Sequence, residues 1–197
     1  NFKLYIMVGL PFEEDADIDA IIDLAVRLRS YMDERGSHGM LTLSVNPFVP
    51  KPFTPFQWMP MAGKKRLDGI MKKITQELRR HKKIVVHFES PKEALVQAIL
   101  ARGDRRLSEP LIHAAAGRGA KDLADGMRAE GLLPDDYLIR GWGAEELFPW
   151  EQLDMGFSKD YLRQEYERAA ARKATPPCFD GCVRCGVCTA KKERTDV

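Results

Sequence analysis

The sequence predicts an α/β fold in which parallel strands alternate with helices. Two apolar stretches, residues 2–8 and about 40–46, have the length of buried strands, and an amphipathic stretch of helical length separates them. Strand, helix and strand at this spacing form a parallel βαβ unit, because a parallel connection needs a long crossover. The 197 residues, 44% hydrophobic and 30% charged, suit one domain or a compact domain with an extension.

The first helix and the elements after it are predicted from charge and periodicity. The acidic turn from Glu13 to Asp17 begins the helix, since carboxylates are stabilised at the positive end of the helix dipole. Arg35-Gly36 ends it. A second amphipathic helix over 64–80 and a third strand over 84–88 follow. The apolar stripe of the first helix consists of Ile18, Ile21, Ile22, Ala25, Val26 and Leu28.

The sequence predicts mostly helical structure from residue 91 to about 173. Residues 102–106 form a polar link between two of the predicted helices. This link has two interpretations, anion binding at the start of a helix or buried Arg–Asp pairing. The predicted helices cover 91–101, 108–116, 120–129 and 158–172.

All four cysteines of the chain lie close together near its C-terminus. Cys178, Cys182, Cys185 and Cys188 form a C-x3-C-x2-C-x2-C run. Thiolates are the ligands of zinc and of iron–sulfur clusters, and four of them close a tetrahedral shell. Disulfides would close only very short loops and need an oxidising compartment, for which the sequence offers no secretory signal. The run therefore predicts a metal site.

The spacing of this run favours a 4Fe–4S cluster, with zinc as the alternative. Structural zinc sites usually join two cysteine pairs from well-separated segments, whereas short spacers resemble the ligand loop of a cubane cluster. Gly181 and Gly186 lie where a loop around a metal needs positive φ angles. The first three cysteines have the C-x3-C-x2-C spacing of radical S-adenosylmethionine (SAM) enzymes, but Cys188 would close the shell. We therefore interpret the site as accessory or structural.

Two turns carry a resemblance to a known family. Gly9-Leu10-Pro11-Phe12-Glu13-Glu14 follows the first strand, and Pro50-Lys51-Pro52-Phe53-Thr54-Pro55 follows the second. In order and spacing they resemble the G-[LF]-P-G-E-T and P-x-P-G-T-P segments after two late strands of radical SAM barrels. Phe12 and Phe53 replace the glycines of these motifs, and Glu14 replaces the threonine of the first.

With the cysteine run, the chain resembles the C-terminal portion of a poorly characterised radical SAM family with an N-terminal cobalamin-binding-like domain. The resemblance implies later βα units of a partial (β/α) barrel at 1–88, a helical extension at 89–174 and a four-cysteine metal-binding tail at 175–197. The catalytic C-x3-C-x2-C loop of the family has no counterpart in residues 1–88. We expect it before Asn1, so this fragment is not expected to perform the radical reaction alone, and no catalytic residue is assigned.

The resemblance also implies cofactor contacts at the first turn. The carboxyl end of a barrel strand faces the active-site mouth. Gly9, Leu10 and Pro11 would lie near the adenosine of S-adenosylmethionine, and Glu13 would accept hydrogen bonds from a ribose or from the backbone. A plain strand-ending turn is the alternative. Cobalamin is a further cofactor that the resemblance allows.

The expected function is that of a fragment of an oxidoreductase acting on an unidentified substrate, RNA or protein, with the missing N-terminal half of the same polypeptide as its partner. The alternative is a non-catalytic RNA- or protein-binding module with a structural zinc knuckle. The aromatic residues of the proline-rich segment 47–58 would line a substrate channel, stack bases or cap the barrel as a rigid connector.

Charge and hydropathy limit the partners. The net charge of +2 does not by itself indicate a nucleic-acid binder, and no apolar run has the length of a membrane span, so we expect a cytoplasmic protein. A basic stretch follows residue 63 and would contact RNA phosphates or form a solvated helix face. His87, inside a predicted strand, is expected in the core. The basic stretch consists of Lys64, Lys65, Arg66, Lys72, Lys73, Arg79, Arg80, Lys82 and Lys83.

Overall fold

A computed structural model describes residues 1–117 and 120–188 and confirms the α/β fold. Its strands are β1 (Phe2–Val8), β2 (Leu41–Pro47) and β3 (Ile84–Phe88). The helices in the described residues are α1 (Asp15–Glu34), α2 (Lys64–Leu78), α3 (Pro91–Arg102), α4 (Ser108–Ala116), α5 (Ala120–Ala129), α6 (Pro134–Leu138) and α7 (Lys159–Ala170), with a 3-10 turn at Arg105–Leu107. No described helix is both long and apolar enough to cross a membrane.

The three strands form one parallel sheet in the order β1-β2-β3. Phe2 pairs with Leu41, which pairs in turn with Ile84. The helices α1 and α2 are the crossover connections, so the predicted βαβ unit is confirmed and repeated once. Because the strands are parallel and in register, their carboxyl ends meet at one edge of the sheet.

Helices α1 and α2 pack on the same face of this sheet. The β2 side chains of Leu41, Leu43 and Val45 are buried at the centre of the face. The two helices contribute the apolar stripes predicted from their 3.6-residue period. The buried helical residues in this core are Ile18, Ala25, Met32, Ile70, Ile74 and Leu78.

The opposite face of the sheet is exposed or half-buried. Tyr5 is 73% exposed, and it lies in one register row with Ser44 and His87. His87 is exposed, so its expected place in the core is wrong. The alternation of side chains along a strand turns residue 87 away from the face that carries Val86 and Phe88. Parallel sheets normally have both faces covered, and in the described residues the face that carries Tyr5 and His87 is only partly covered.

The chain divides into two compact units. The sheet unit comprises residues 1–49 and 60–140, and the aromatic unit comprises residues 50–59 and the described residues from 141 onward. The helical extension predicted over 89–174 is therefore split between the two units, and the predicted three-part division stays a prediction. The core of the aromatic unit consists of Trp58, Phe148, Trp150 and Leu162, with Phe53, Trp142, Phe157, Tyr161 and Tyr166 packed around them.

The polar link contains a buried arginine whose partners are backbone carbonyls. Arg102 is 1% exposed and donates to the carbonyl oxygens of Arg140 at 2.6 Å and Leu138 at 3.5 Å. Burial lowers the pKa of Arg102 to about 10. Asp104 instead pairs with Arg106 in a more exposed position. The predicted buried Arg–Asp pair is therefore replaced by a buried arginine that joins α3 to the end of α6.

Candidate functional site

The turn after β1 is held by a carboxylate of its own. Glu13 Oε2 accepts a hydrogen bond from the N–H of Gly9 at 2.8 Å, and the N–H of Glu13 donates to the carbonyl oxygen of Leu10 at 3.2 Å. A ribose and the backbone were the two expected partners of Glu13, and the structure shows the backbone partner. Burial raises the pKa of Glu13, and the backbone bond from Gly9 and the charge of Arg66 oppose that rise. Glu13 therefore shapes the turn.

Gly9 is required by both its backbone and its surroundings. Its φ angle is +78°, in the region that side chains disfavour. A Cβ atom at this position would lie 2.7 Å from Leu67 Cδ2 and 3.0 Å from Ala62 Cβ. The close approach is to Leu67 in the first turns of α2 and to Ala62 just before this helix, so the φ angle and this packing together account for the glycine. The predicted contact of Gly9, Leu10 and Pro11 with a cofactor stays a prediction.

The phenylalanines that replace glycine in the two resembling motifs have glycine-like backbones. Phe12 has a φ angle of +66° and Phe53 a φ angle of +58°. Such angles are uncommon for residues with a side chain. Lys83 and Arg172 are the other non-glycine residues with positive φ in the part of the chain that is described. Both departures from the family pattern thus keep the backbone conformation that a glycine would favour.

The two turns are fixed by different local contacts. Glu14, at the place of the motif's threonine, is the N-cap of α1, and its backbone N–H donates to the Asp17 carboxylate at 2.8 Å. In the second turn the N–H of Phe53 donates to Gln57 Oε1 at 3.0 Å, and Thr54 Oγ1 donates to the Lys51 carbonyl at 2.8 Å. Each turn is therefore held by hydrogen bonds to residues of its own compact unit.

The cysteine segment is anchored by one arginine and one serine. Arg184 donates from Nη2 to the carbonyl oxygens of Pro176 and Pro177, each at 2.9 Å, and from Nε to Cys182 Sγ at 3.3 Å. The hydrogen bond from Arg184 lowers the pKa of Cys182 to about 7. The N–H of Ser158, the N-cap of α7, donates to the Cys185 carbonyl at 3.0 Å. The segment thus has a defined path up to residue 188.

The donor chemistry of this segment fits a thiophilic metal, and all four thiols are free. Gly181 and Gly186 have φ angles of +80° and +87°, as the loop was predicted to need. A hydrogen bond with Cys182 raises the pKa of the Cys178 thiol. Within the described ranges no three His, Cys, Asp or Glu side chains come together at a metal-sized site. Convergence of Cys178, Cys182, Cys185 and Cys188 therefore stays a prediction, and binding would have to close the loop.

The remaining residues of the predicted tail, 189–197, lie outside the described residues, including the charged run from Lys191 to Arg194.

Part of the basic stretch is already paired within the sheet unit. Lys73 lies 2.6 Å from Asp19, and Lys83 lies 3.9 Å from Asp33. Lys64 pairs with Asp68, and Arg66 pairs with Asp15, whose pKa it lowers. Two of these pairs, Arg66–Asp15 and Lys73–Asp19, link α2 to α1, and Lys64–Asp68 lies within α2. This pairing favours the solvated helix face over an RNA contact. They are surface pairs, which contribute little to stability individually.

One feature of the aromatic unit is missing from the predicted site. A cavity of about 280 Å³ lies among its aromatic rings and includes Gln57 in its wall. Gln57 is 3% exposed, which is unusual for an amide side chain. Its position between Phe56 and Trp58 in an otherwise apolar run is the signal in the sequence that could have drawn attention to it.

Comparison with known proteins identifies an archaeal relative over most of the chain. The chain is 34% identical over 140 residues to an uncharacterised protein of Methanocaldococcus jannaschii. The match takes in 70% of this chain and 28% of the relative, so the chain spans little more than a quarter of the relative's length. No protein-family model and no solved structure matches the chain. The activity, substrates and partners of the whole protein are therefore proposed below.

Proposed function

We propose that the chain is part of a radical SAM iron–sulfur enzyme. Residues 1–88 would supply later βα units of its barrel, and residues 89–174 a helical extension. The tail from residue 175 would hold an accessory 4Fe–4S cluster, with zinc as the alternative. The substrate would be RNA or protein. The catalytic cysteine loop would belong to another part of the polypeptide, which is why this chain alone would be inactive.

The observation that carries the proposal is the backbone of the two motif turns. Phe12 and Phe53 depart from the motifs in side chain but have φ angles of +66° and +58°. A non-glycine residue in this conformation costs about 1–2 kcal/mol, so a chance turn would seldom place a phenylalanine there. Two independent turns with the same departure and the same backbone support descent from glycine-containing turns. The resemblance rests on residue types, whereas the φ angles are a property of the backbone, and both support the same motifs.

The sheet supports the barrel part of the proposal. In a (β/α) barrel, parallel strands follow each other in chain order, helices cover the outer face, and the inner face is closed by the other strands. Here the order is β1-β2-β3, both crossover helices lie on one face, and the residues described on the other face are exposed or half-buried. Strand β1 is an edge strand with Phe2 63% exposed. Further strands pairing with β1 would bury this edge and enclose the face that carries Tyr5, Ser44 and His87.

Each of the chain's own residues would have a limited role. The catalytic cluster of such an enzyme, when bound, supplies the electron that cleaves S-adenosylmethionine. Glu13 would hold the turn in place through its hydrogen bond from Gly9, and the half-buried Leu10 and Pro11 would offer apolar surface to the adenosine. The four cysteines would ligate the accessory group and stabilise a segment that has little core of its own.

The test uses the full-length parent polypeptide, prepared without oxygen and reduced with dithionite. We expect its reading frame to encode a C-x3-C-x2-C motif upstream of residue 1, and we expect the protein to form 5′-deoxyadenosine from S-adenosylmethionine. The matched control replaces the first cysteine of that upstream motif by alanine and should form none. A parent frame without the motif, or an iron-loaded parent that leaves S-adenosylmethionine intact, would contradict the proposal. Zinc in the tail together with either result would favour the non-catalytic module.

A further inference from the structure

The cavity of the aromatic unit has the features of a binding site that the proposed function does not use. Its volume is about 280 Å³, and its wall includes the rings of Phe53, Phe148, Trp150 and Phe157. Pockets for drug-sized ligands have about 300–1,000 Å³, so this cavity suits a ligand with one ring system. The rings are held by their own contacts, with Phe148 stacked on Trp150 at 4.8 Å and Phe53 edge-on to Phe157 at 6.2 Å.

Gln57 places an amide group in the wall of this cavity. Its Oε1 accepts hydrogen bonds from the Phe53 N–H and from Trp150 Nε1–H, both at 3.0 Å. Both partners are donors, so the oxygen must face them and the Nε2 group is directed away. Among the residues that the structure describes, no hydrogen bond from Nε2 is found. Gln57 is 3% exposed, yet Nε2 is not among the fully buried side-chain atoms that lack a partner in the described residues. The amide in the cavity wall can therefore still donate a hydrogen bond to a ligand.

We propose that this cavity binds a nucleobase. Aromatic rings stack on bases of any sequence, and the edge of every base carries a carbonyl oxygen or a ring nitrogen that can accept from Gln57 Nε2. The aromatic side chain of a peptide would also fill the space. A phenyl ring has no acceptor, however, and would leave the Gln57 donor buried without a partner.

The rim of the cavity indicates that the base is recognised without its phosphate. Glu151 pairs with Lys159 at 2.5 Å and also accepts from the Phe148 N–H at 2.8 Å. The hydrogen bond from Lys159 lowers the pKa of Glu151, so this carboxylate is ionised at neutral pH. Asp154 adds a second carboxylate to the same rim. Two carboxylates against one ammonium group do not attract a phosphate, so nucleosides should bind at least as well as their monophosphates.

This inference deepens the proposed function, because it names nucleic acid as the class of substrate. It rests on contacts within the aromatic unit alone. Nucleoside binding is measured without a cluster and without S-adenosylmethionine. Failure of the cavity to bind and failure of the radical SAM proposal are therefore separate results.

The experiment titrates the 197-residue chain with uridine, cytidine, adenosine and guanosine while the indole N–H signals are followed by NMR. All three tryptophans lie in the aromatic unit, and Trp150 Nε1–H is the group bonded to Gln57. We expect at least one nucleoside to shift the Trp150 signal in a saturable way, with an equal or weaker effect from its 5′-monophosphate. A Trp150→Phe variant assigns the signal.

Three variants separate recognition from structure. Gln57→Glu keeps an oxygen for the Phe53 and Trp150 donors but removes the Nε2 donor, so binding should weaken by about tenfold or more. Phe157→Leu keeps apolar bulk and removes a stacking ring, with an expected loss of about fivefold or more. Gln164→Glu makes the same amide-to-acid change on an exposed part of α7 and should leave binding within about twofold of the unmodified chain. Near-UV circular dichroism reports whether each variant keeps its aromatic packing.

Three outcomes would overturn the inference. The first is that no nucleoside shifts the Trp150 signal. The second is that N-acetylphenylalanine amide binds while all four nucleosides fail, which would make the cavity a peptide pocket. The third is that Gln57→Glu, with native near-UV dichroism, binds as tightly as the unmodified chain.

Discussion

Replacement of Gly9 by alanine tests whether packing against α2, and not a ligand, requires glycine in the first turn. The φ angle of +78° costs an alanine about 1–2 kcal/mol. The new Cβ would also lie 2.7 Å from Leu67 Cδ2, in a core where overpacking costs about 1–3 kcal/mol. We therefore expect Gly9→Ala to lower the free energy of unfolding by about 2–5 kcal/mol in sum.

The matched control is Gly36→Ala. Gly36 has a similar φ angle of +68°, and a Cβ there would meet no atom within 4 Å. This variant should lose only the backbone contribution of about 1–2 kcal/mol. The difference between the two alanine variants isolates the contact with Leu67. In a double-mutant cycle, Leu67→Ala should relieve about 1–3 kcal/mol of the Gly9→Ala effect, because it removes the atom that the Cβ meets.

Urea denaturation followed by far-ultraviolet circular dichroism measures these free energies. Tryptophan fluorescence, which reports only on the aromatic unit, shows whether that unit unfolds in the same transition. Equal destabilisation by Gly9→Ala and Gly36→Ala, or additive effects of Gly9→Ala and Leu67→Ala, would refute the packing explanation. The positive φ angle alone would then account for the glycine.

Two further predictions concern the same turn. Phe12 is 45% exposed, so Phe12→Gly should leave the free energy of unfolding within about 1 kcal/mol of the unmodified chain. Phe12→Val should lower it by about 1–3 kcal/mol, because β-branched residues rarely adopt positive φ. Equal stability of the two variants would contradict the left-handed turn. Burial raises the pKa of Glu13 above its ordinary value of 4.5. The free energy of unfolding of the unmodified chain should therefore fall as the pH rises above 4.5 and this carboxyl group ionises. Glutamine does not ionise, so the stability of Glu13→Gln relative to the unmodified chain should increase between pH 4.5 and 7 in urea titrations. A stability difference that stays constant over this range would show that burial does not raise the pKa of Glu13.

Local signals predicted the sheet unit well. The strand over 84–88 has the predicted bounds. Helix α1 begins within the acidic stretch from Glu13 to Asp17 and ends before Gly36, whose φ angle is positive. Periodicity and capping act over a few residues and can be taken from the sequence. Helix α6 was not predicted, because five residues are too few to show a helical period.

The division into two units could not be predicted from local signals. Residues 50–59 join a core that is formed by residues about ninety positions later, through contacts such as the Trp142 N–H bond to the Trp58 carbonyl at 2.8 Å. Nothing in the proline-rich run specifies which distant aromatic residues it will meet. The orientation of Gln57 depends on Trp150 for the same reason.

The sequence predicted the place of Gly9 and Glu13 in the chain, and their role in binding a cofactor stays a prediction. Gly9 and Glu13 lie after β1, where the motif placed them, yet the Glu13 carboxylate bonds to the backbone of its own turn. A motif gives the order of residues, whereas the choice between a ligand and an internal partner depends on the folded geometry. The same holds for the four cysteines, whose spacing predicts metal ligands and whose convergence depends on the folded loop.

The most direct test of the account is the iron, zinc and acid-labile sulfide content per chain after strictly anaerobic purification. We predict about four irons and about four sulfides, the composition of a cubane cluster held by Cys178, Cys182, Cys185 and Cys188. Replacement of Cys182 and Cys185 by alanine should remove them. About one zinc with no sulfide would contradict the iron–sulfur assignment and make the tail a structural knuckle.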